Sequence, residues 1–134
     1  MAEAFLLEVA TPDRLLIREE VSEIQVPAAN GYLGLLPGHS PLLSELGTGE
    51  LSYAIGGHRH SVSLDGGWVE VLPDHVRVLA NTAERASEID AKRAADALQR
   101  AAERLSHPEL GIDIARALNA LHRAQARLDT AKHP

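Results

Sequence analysis

Seven histidines are the first candidates for chemistry in this 134-residue chain. His58 and His60 stand two apart, and on a strand that spacing puts both imidazoles on one face, where they could hold zinc or copper. No third ligand is visible nearby, so a solvent-facing pair beside the Gly56-Gly57 turn is the simpler expectation. His39 follows Pro37-Gly38 in an apolar loop and could act as a base. It has no identifiable Ser, Cys or carboxylate partner, so a hydrogen-bonded structural role is expected. Ser63 and Asp65 could be drawn into a triad with His60, but nothing resembles a nucleophile elbow. Phosphate-binding loops need glycines followed by Lys and Ser or Thr; Lys92 and Lys132 are the only lysines, and neither follows a glycine loop. Gly31-Tyr32-Leu33-Gly34 and Gly47-Thr48-Gly49 are too short for a dinucleotide fingerprint and read as turn glycines. Without cysteine, thiolate catalysis, disulfides and Cys-based zinc sites are all removed. The expectation is a protein with no catalytic residues of its own and no metal.

Arginines have the other useful spacing. Residues 93–104 (RAADALQRAAER) align without gaps on residues 116–127 (RALNALHRAQAR), with seven of twelve positions identical. Either an internal repeat or convergence on Ala-Leu-Arg helix composition gives this match. In both cases arginines at spacing seven then four form one stripe on each helix, beside an Ala/Leu face.

The elements that carry these residues fall into two units, expected at residues 1–86 and 87–134. The first holds all four aromatics and nine of the ten glycines, with 12 Asp and Glu against 5 Arg, a net charge of −7. The second carries 7 acids against 8 Arg and Lys, a net +1, with 12 alanines and no valine. The overall charge of −6 argues against nucleic acid as a partner. No stretch approaches the roughly 20 apolar residues of a membrane span, and no secretory signal is read at the N-terminus.

In the first unit, Phe5, Leu7 and Val9 alternate before Thr11-Pro12-Asp13, and Val21 to Val26 form a second run ending at Pro27. Leu51, Tyr53 and Ile55 share a face, Gly56-Gly57 makes a two-residue hairpin turn, and residues 58–64 return. Asp65-Gly66-Gly67 is expected to turn again into 68–72, and Pro73-Asp74 into a last strand beginning at Val76. Many short strands with Gly and Pro turns predict a sandwich or barrel. In the second unit Ser87 and Asp90 have N-cap and N3 spacing. Ala91, Ala94, Ala95, Leu98, Ala101, Ala102 and Leu105 then fall on one helical face. Ser106-His107-Pro108 breaks the pattern, which resumes near Asp113 with Ile114, Leu118, Leu121 and Leu128. Small alanines allow close approach, so an antiparallel helical hairpin is expected, thinly cored and marginally docked.

Residues 36–43, Leu36-Pro37-Gly38-His39-Ser40-Pro41-Leu42-Leu43, resemble the L-P-G-H-x-P-L-L segment of the ATP synthase epsilon family (delta in mitochondria). Flanking segments are similar too: Thr11-Pro12, Gly31 to Leu35, Gly49-Glu50-Leu51, residues 66–71 and residues 76–80. The resemblance spans nearly the whole chain. It implies a flattened β-sandwich of about ten strands, followed by an antiparallel helical hairpin that lies folded on it or extends. It also implies a non-catalytic rotor subunit of the central stalk. That subunit binds the gamma subunit and the membrane rotor ring, and reaches the catalytic alpha/beta subunits through the helices to inhibit ATP hydrolysis. Tyr32, Leu36, Pro37, Gly38, His39, Pro41 and Leu42 are the implied partner-contact loop. Without a targeting segment, the implied location is peripheral, on the cytoplasmic face of a bacterial plasma membrane.

Some members of that family bind regulatory ATP through I/L-D-x-x-R-A at the start of the first helix, and Ile89-Asp90-Ala91-Lys92-Arg93-Ala94 matches in full. The implied roles are Asp90 accepting from the adenine or ribose side, with Glu84 near the adenine, and guanidinium groups of Arg93, Arg100, Arg123 and Arg127 on the phosphates. The alternative is that Asp90 caps the helix and the arginines are a solvated stripe. A purely structural stalk subunit with no ATP-sensing switch is the corresponding alternative function.

Overall fold

The computed structural model describes residues 3–107 and 111–133; Pro108 lies outside them. Alternating apolar residues build eight strands: β1 Phe5–Ala10, β2 Leu15–Val21, β3 Glu23–Ala28, β4 Gly31–Leu35, β5 Leu42–Glu45, β6 Thr48–Ile55, β7 His58–Leu72 and β8 His75–Arg85. A 3-10 turn at Ala86–Glu88 leads to helix α1, Ala91–Leu105, and then α2, Ile114–Ala131. All strands belong to one sheet of order β2-β1-β8-β7-β6-β3-β4, with β5 also on β7.

The pairings show how this single sheet becomes a sandwich. Residues 68–71 of β7 pair with β5, whereas residues 58–65 pair with β6. Residues 75–79 of β8 lie beside β1, and residues 82–85 continue only along β7. Both strands therefore pass from one layer into the other, a route by which sheet corners are made. Counted by layer, the eight strands make ten passages, five in each. Asp65-Gly66-Gly67 is not the turn that the sequence suggested: β7 continues through it. The reason is local and glycine-specific. Gly66 and Gly67 adopt φ of 67° and 114°, and a side chain at Gly67 would drive into the Leu79 carbonyl oxygen. The Gly56-Gly57 turn does join Ile55 to His58, and Pro73-Asp74 joins Leu72 to His75. The run from Val21 to Val26 is likewise divided, with β2 ending at Val21 and β3 starting at Glu23.

Phe5, Leu7, Val9, Val69, Val71, Val76 and Val78 from the first layer meet Ile24, Val26, Leu35, Leu51, Val62 and Leu64 from the second in one core. The outer face of the second layer carries Ser61 and Ser63, and these are buried as well, because α2 lies over β6 and β7.

The hairpin forms as expected, but its apolar face is narrower than the sequence pattern. In α1 only Ala94 and Ala101 are buried; Leu98 and Leu105 are half-buried, while Ala91, Ala95 and Ala102 are exposed. One helix covers α1, so only the seam at spacing seven is closed. In α2, Ala117 and Ala124 form the matching seam. Ala126 and Thr130 point the opposite way at 100° per residue, toward the sandwich. Ile114 and Leu118 stay exposed, outside both contacts. Ser87 is not the N-cap, since the 3-10 turn occupies its position; Asp90 caps α1 by accepting from the Arg93 backbone N–H at 3.0 Å.

Candidate functional site

The end of β8, the start of α1 and the far half of α2 enclose a cleft of about 270 Å³. Its lining is Glu84, Glu88, Asp90, Arg93, Ala94, Ala97, Arg100 and Arg127. The cleft exists because antiparallel packing brings the last turns of α2 beside the first turns of α1. Three acids and three arginines balance in this lining, and the α1 stripe supplies two of the arginines, since positions 93 and 100 are seven apart and share a face. Ala94, buried in the seam, keeps the floor shallow.

Glu84 Oε1 accepts from Arg127 Nε at 2.6 Å, tying the sandwich to α2 across the back of the cleft. Glu88 is held in a two-point ion pair with Arg14, at 2.8 and 3.0 Å, and also accepts from the Arg85 N–H. The Arg14 hydrogen bond, then that from Arg85, holds the Glu88 carboxyl below the usual carboxylate range. Arg93 and Arg100 form no ion pair among the described residues. Two uncommitted guanidinium groups on one rim, with Arg127 opposite, suit an anion with several oxygens, such as a phosphate chain. Asp90 has one oxygen committed to its cap and the other available to a donor.

Six of the eight residues expected for nucleotide binding line this cleft. Arg123 lines a small adjoining cavity shared with Glu84 and Arg127, and Ile89, half-buried before the cap, is not a lining residue. Glu88 and Ala97 complete the lining, beyond the residues expected from the sequence. Glu88 reaches the site through Arg14, 74 residues away, a partnership with no local signal.

A second feature escaped the sequence reading although its signal was present. Ile112-Asp113-Ile114-Ala115-Arg116-Ala117 repeats the pattern of residues 89–94. Asp113 accepts from the Arg116 N–H at 3.0 Å, as Asp90 does from Arg93. Burial repeats too: Ala94 and Ala101 are 3% and 1% exposed, Ala117 and Ala124 likewise 3% and 1%, so the hairpin has an internal near-twofold. The related cleft at its other end, lined by Arg104, Ile112, Asp113, Arg116 and Ala117, takes no lining residue from a strand.

The loop expected to contact partners lies at the edge of the sandwich. Gly38, at φ 86°, donates its N–H to Pro73 O at 2.7 Å, and His39 Nδ1 lies 2.7 Å from the Ser40 carbonyl oxygen. Tyr32, Leu36, Pro41 and Leu42 are exposed, and Pro37 and His39 are intermediate. Pro41, Leu42 and Leu43 continue into a groove of about 280 Å³ with Glu70, Val71 and Leu72. Trp68 and Leu79, cross-strand partners and each about half exposed, extend the apolar surface over the first layer. Such a patch marks an interaction surface. Alternation in residues 68–72 was the available signal, since Trp68 and Leu72 face outward while Val69 and Val71 face the core. Beside the patch, Glu8 is bonded by His75 Nε2 at 2.7 Å and flanked by Arg18 and Arg77 at 3.6 Å. Chiefly the His75 bond holds its carboxyl below the usual range.

Of the other histidines, His58 is exposed and His60 stacks on Tyr53 at 5.3 Å. No group of three or more His, Asp or Glu side chains among the described residues is placed to hold a metal, and no described helix is long and apolar enough to cross a membrane. Ser63 is buried beneath α2, and Asp65 accepts from Thr48 Oγ1 at 2.7 Å, so no triad with His60 assembles.

Residues 4–86 match the family model for the ATP synthase delta/epsilon chain β-sandwich domain, and residues 87–132 that for the long α-helix domain. The ATP synthase epsilon chain of Solibacter usitatus is 58% identical over 131 residues, covering 98% of each chain. That of Syntrophobacter fumaroxidans is 45% identical over 132 residues, again covering 98% of each. A chain in the solved mitochondrial ATP synthase of Euglena gracilis superposes with a TM-score of 0.81 at 26% identity, covering 97% of this chain and 82% of that one. The chain belongs to the delta/epsilon family of ATP synthase subunits.

Proposed function

We propose that the chain is an accessory central-stalk subunit that couples rotation and restrains ATP hydrolysis, with its helical hairpin as the moving part and ATP as the ligand that keeps the hairpin docked. The sandwich, through residues 32–42 and the Trp68–Leu79 face, binds the gamma subunit and the membrane rotor ring. The undocked hairpin presents its arginine stripes to the alpha/beta subunits. The location follows from these partners: peripheral, on the cytoplasmic face of a bacterial plasma membrane. ATP is regulatory, and no cofactor is required.

The observation that carries this reading is the cleft. Arg93 and Arg100 are uncommitted on α1, and Arg127 on α2 is already bonded to Glu84 of the sandwich. A phosphate chain held there touches both helices beside their junction with β8. It therefore binds the docked state better than the open one and shifts the equilibrium by that difference.

ATP titration of the full chain tests the site. Arg93→Ala and Arg100→Ala should each weaken binding at least tenfold, since a charge-assisted bond contributes roughly 1.5–3 kcal/mol. Unchanged affinity in both variants rejects the cleft as the ATP site. Asp90→Ala is a poorer probe because it also removes a helix cap. Removing residues 87–134 should raise ATP hydrolysis by the assembled enzyme; unchanged hydrolysis at low ATP removes the restraining role and leaves the structural one. The structural-only reading draws on the same contacts, because the Asp90 cap and the Glu84–Arg127 pair are complete without a ligand.

A further inference from the structure

We propose that His133 and Glu50 form a pH-dependent latch that fastens the end of α2 to the sandwich and releases it as the medium turns alkaline. His133 Nδ1 lies 2.9 Å from Glu50 Oε2, across 83 residues of sequence, so the bond exists only while the hairpin is docked. Both ends are held. The His133 N–H donates to the Thr130 carbonyl at 2.9 Å, which seats the imidazole just beyond the last turn of α2. The Glu50 N–H donates to the Tyr32 hydroxyl at 3.1 Å, and β6 fixes its position opposite Ser63.

Below this end of α2, Gln25, Glu50, Ser52, Arg59, Ser61 and His133 line a polar cavity of about 380 Å³. Two carboxylates act on the imidazole: Glu50 across the junction most strongly, and Asp129 on its own helix, whose weaker attraction does not depend on docking. On β7, Arg59 is paired with Glu23 of β3 at 3.0 Å. On α2, Asp129 accepts from Gln125 at 2.9 Å, and Lys132 adds a neighbouring positive charge. On β6, Glu50 has no other ion pair among the described residues.

Among the described residues the other side-chain tie from α2 to the sandwich is Arg127–Glu84; imidazole is the side chain whose charge ordinarily changes across neutral pH, so His133 supplies the pH response. The Glu50 hydrogen bond first, then the Glu50 charge, raises the His133 pKa above 6.5, against a smaller opposing effect of desolvation. Docking thus favours the protonated ring. The latch contributes fully below the pKa of the undocked histidine and is lost as pH rises through the higher docked value.

The latch rests on the reading that the hairpin opens, but it needs no nucleotide. The chain lacks cysteine, so dyes can be placed at Gln99→Cys on α1 and Glu20→Cys on β2, both exposed. In nucleotide-free buffer the open fraction, read by energy transfer, should rise several-fold between about pH 6 and about pH 8. His133→Gln and Glu50→Gln should each level that profile, and the double variant should add nothing further. Trp68 emission reports in each case that the sandwich remains folded. A pH profile unchanged in either variant overturns the latch, as does a measurable but level open fraction in the unsubstituted chain. Transfer fixed at the docked value at every pH, even after Glu84→Ala, overturns the movable hairpin and the latch with it.

Discussion

The sandwich and the hairpin bury different kinds of side chain. The sandwich closes over Phe, Leu, Ile and Val, several of them with no exposed surface at all. Among the described residues, those buried in the hairpin are five alanines and Thr130, whose hydroxyl is enclosed without a hydrogen-bond partner. At about 25 cal/mol per Å² of apolar surface, alanine contributes little beyond allowing backbones to approach. The hairpin rests on serines of the second layer rather than on apolar residues. One region is built to be permanent, and the other gains geometry from its packing more than cohesion.

This contrast should break most visibly at Leu51, which is fully buried in the sandwich. Leu51→Ala removes core volume and should cost about 2–5 kcal/mol of global stability, measured by denaturant unfolding. Ala124 poses the opposite problem, since its seam has no room for volume to be added. Ala124→Leu should cost about 1–3 kcal/mol, confined to the hairpin. It should appear as lost helical signal while the Trp68 unfolding midpoint of the sandwich stays in place. Asp113→Ala removes the α2 cap and should cost about 1 kcal/mol, read as faster amide exchange over the first turn of α2. The smallest effect is expected from acid. The Glu88 carboxyl is held below its ordinary value by Arg14, so its contribution is present above about pH 4.5 and is lost as pH falls through the depressed value. Arg14→Gln should remove that acid-side loss of the contact between the 3-10 turn and the sandwich, followed by titrating the Glu88 carboxyl by NMR.

Most of the sandwich is legible in the sequence because alternation and turn residues are local signals. Phe5, Leu7 and Val9 lie inward as their spacing requires, and Gly56-Gly57 turns where two positive-φ residues stand between strands. Asp65-Gly66-Gly67 carries the same local signal with a different outcome. Positive φ serves a turn and a strand bend equally, and only the pairing of β7 with both β5 and β6 decides between them. Ser87 misleads for a related reason: the 3-10 turn that displaces it is anchored by Glu88 to Arg14, on a distant part of the chain. The arginines of the cleft were legible through helical spacing and family resemblance. Its closure by Glu84 depends on how α2 crosses the sandwich, which no local pattern specifies.

The passage of β7 and β8 through both layers has a mechanical consequence. A load applied to the face bearing Trp68 and Leu79 reaches the face beneath α2 along two unbroken main chains, not only through side chains packed between layers. Sliding one layer over the other would have to shear the long β7–β8 ladder, whose hydrogen bonds would be strained together. β5 is held more weakly: it is joined to β7 by four residue pairs, Leu42–Val71 to Glu45–Trp68, and can be peeled away one pair at a time. Under torque, the sandwich should therefore behave as a stiff block with a compliant edge at β5, the strand entered from the Leu36–Pro41 loop.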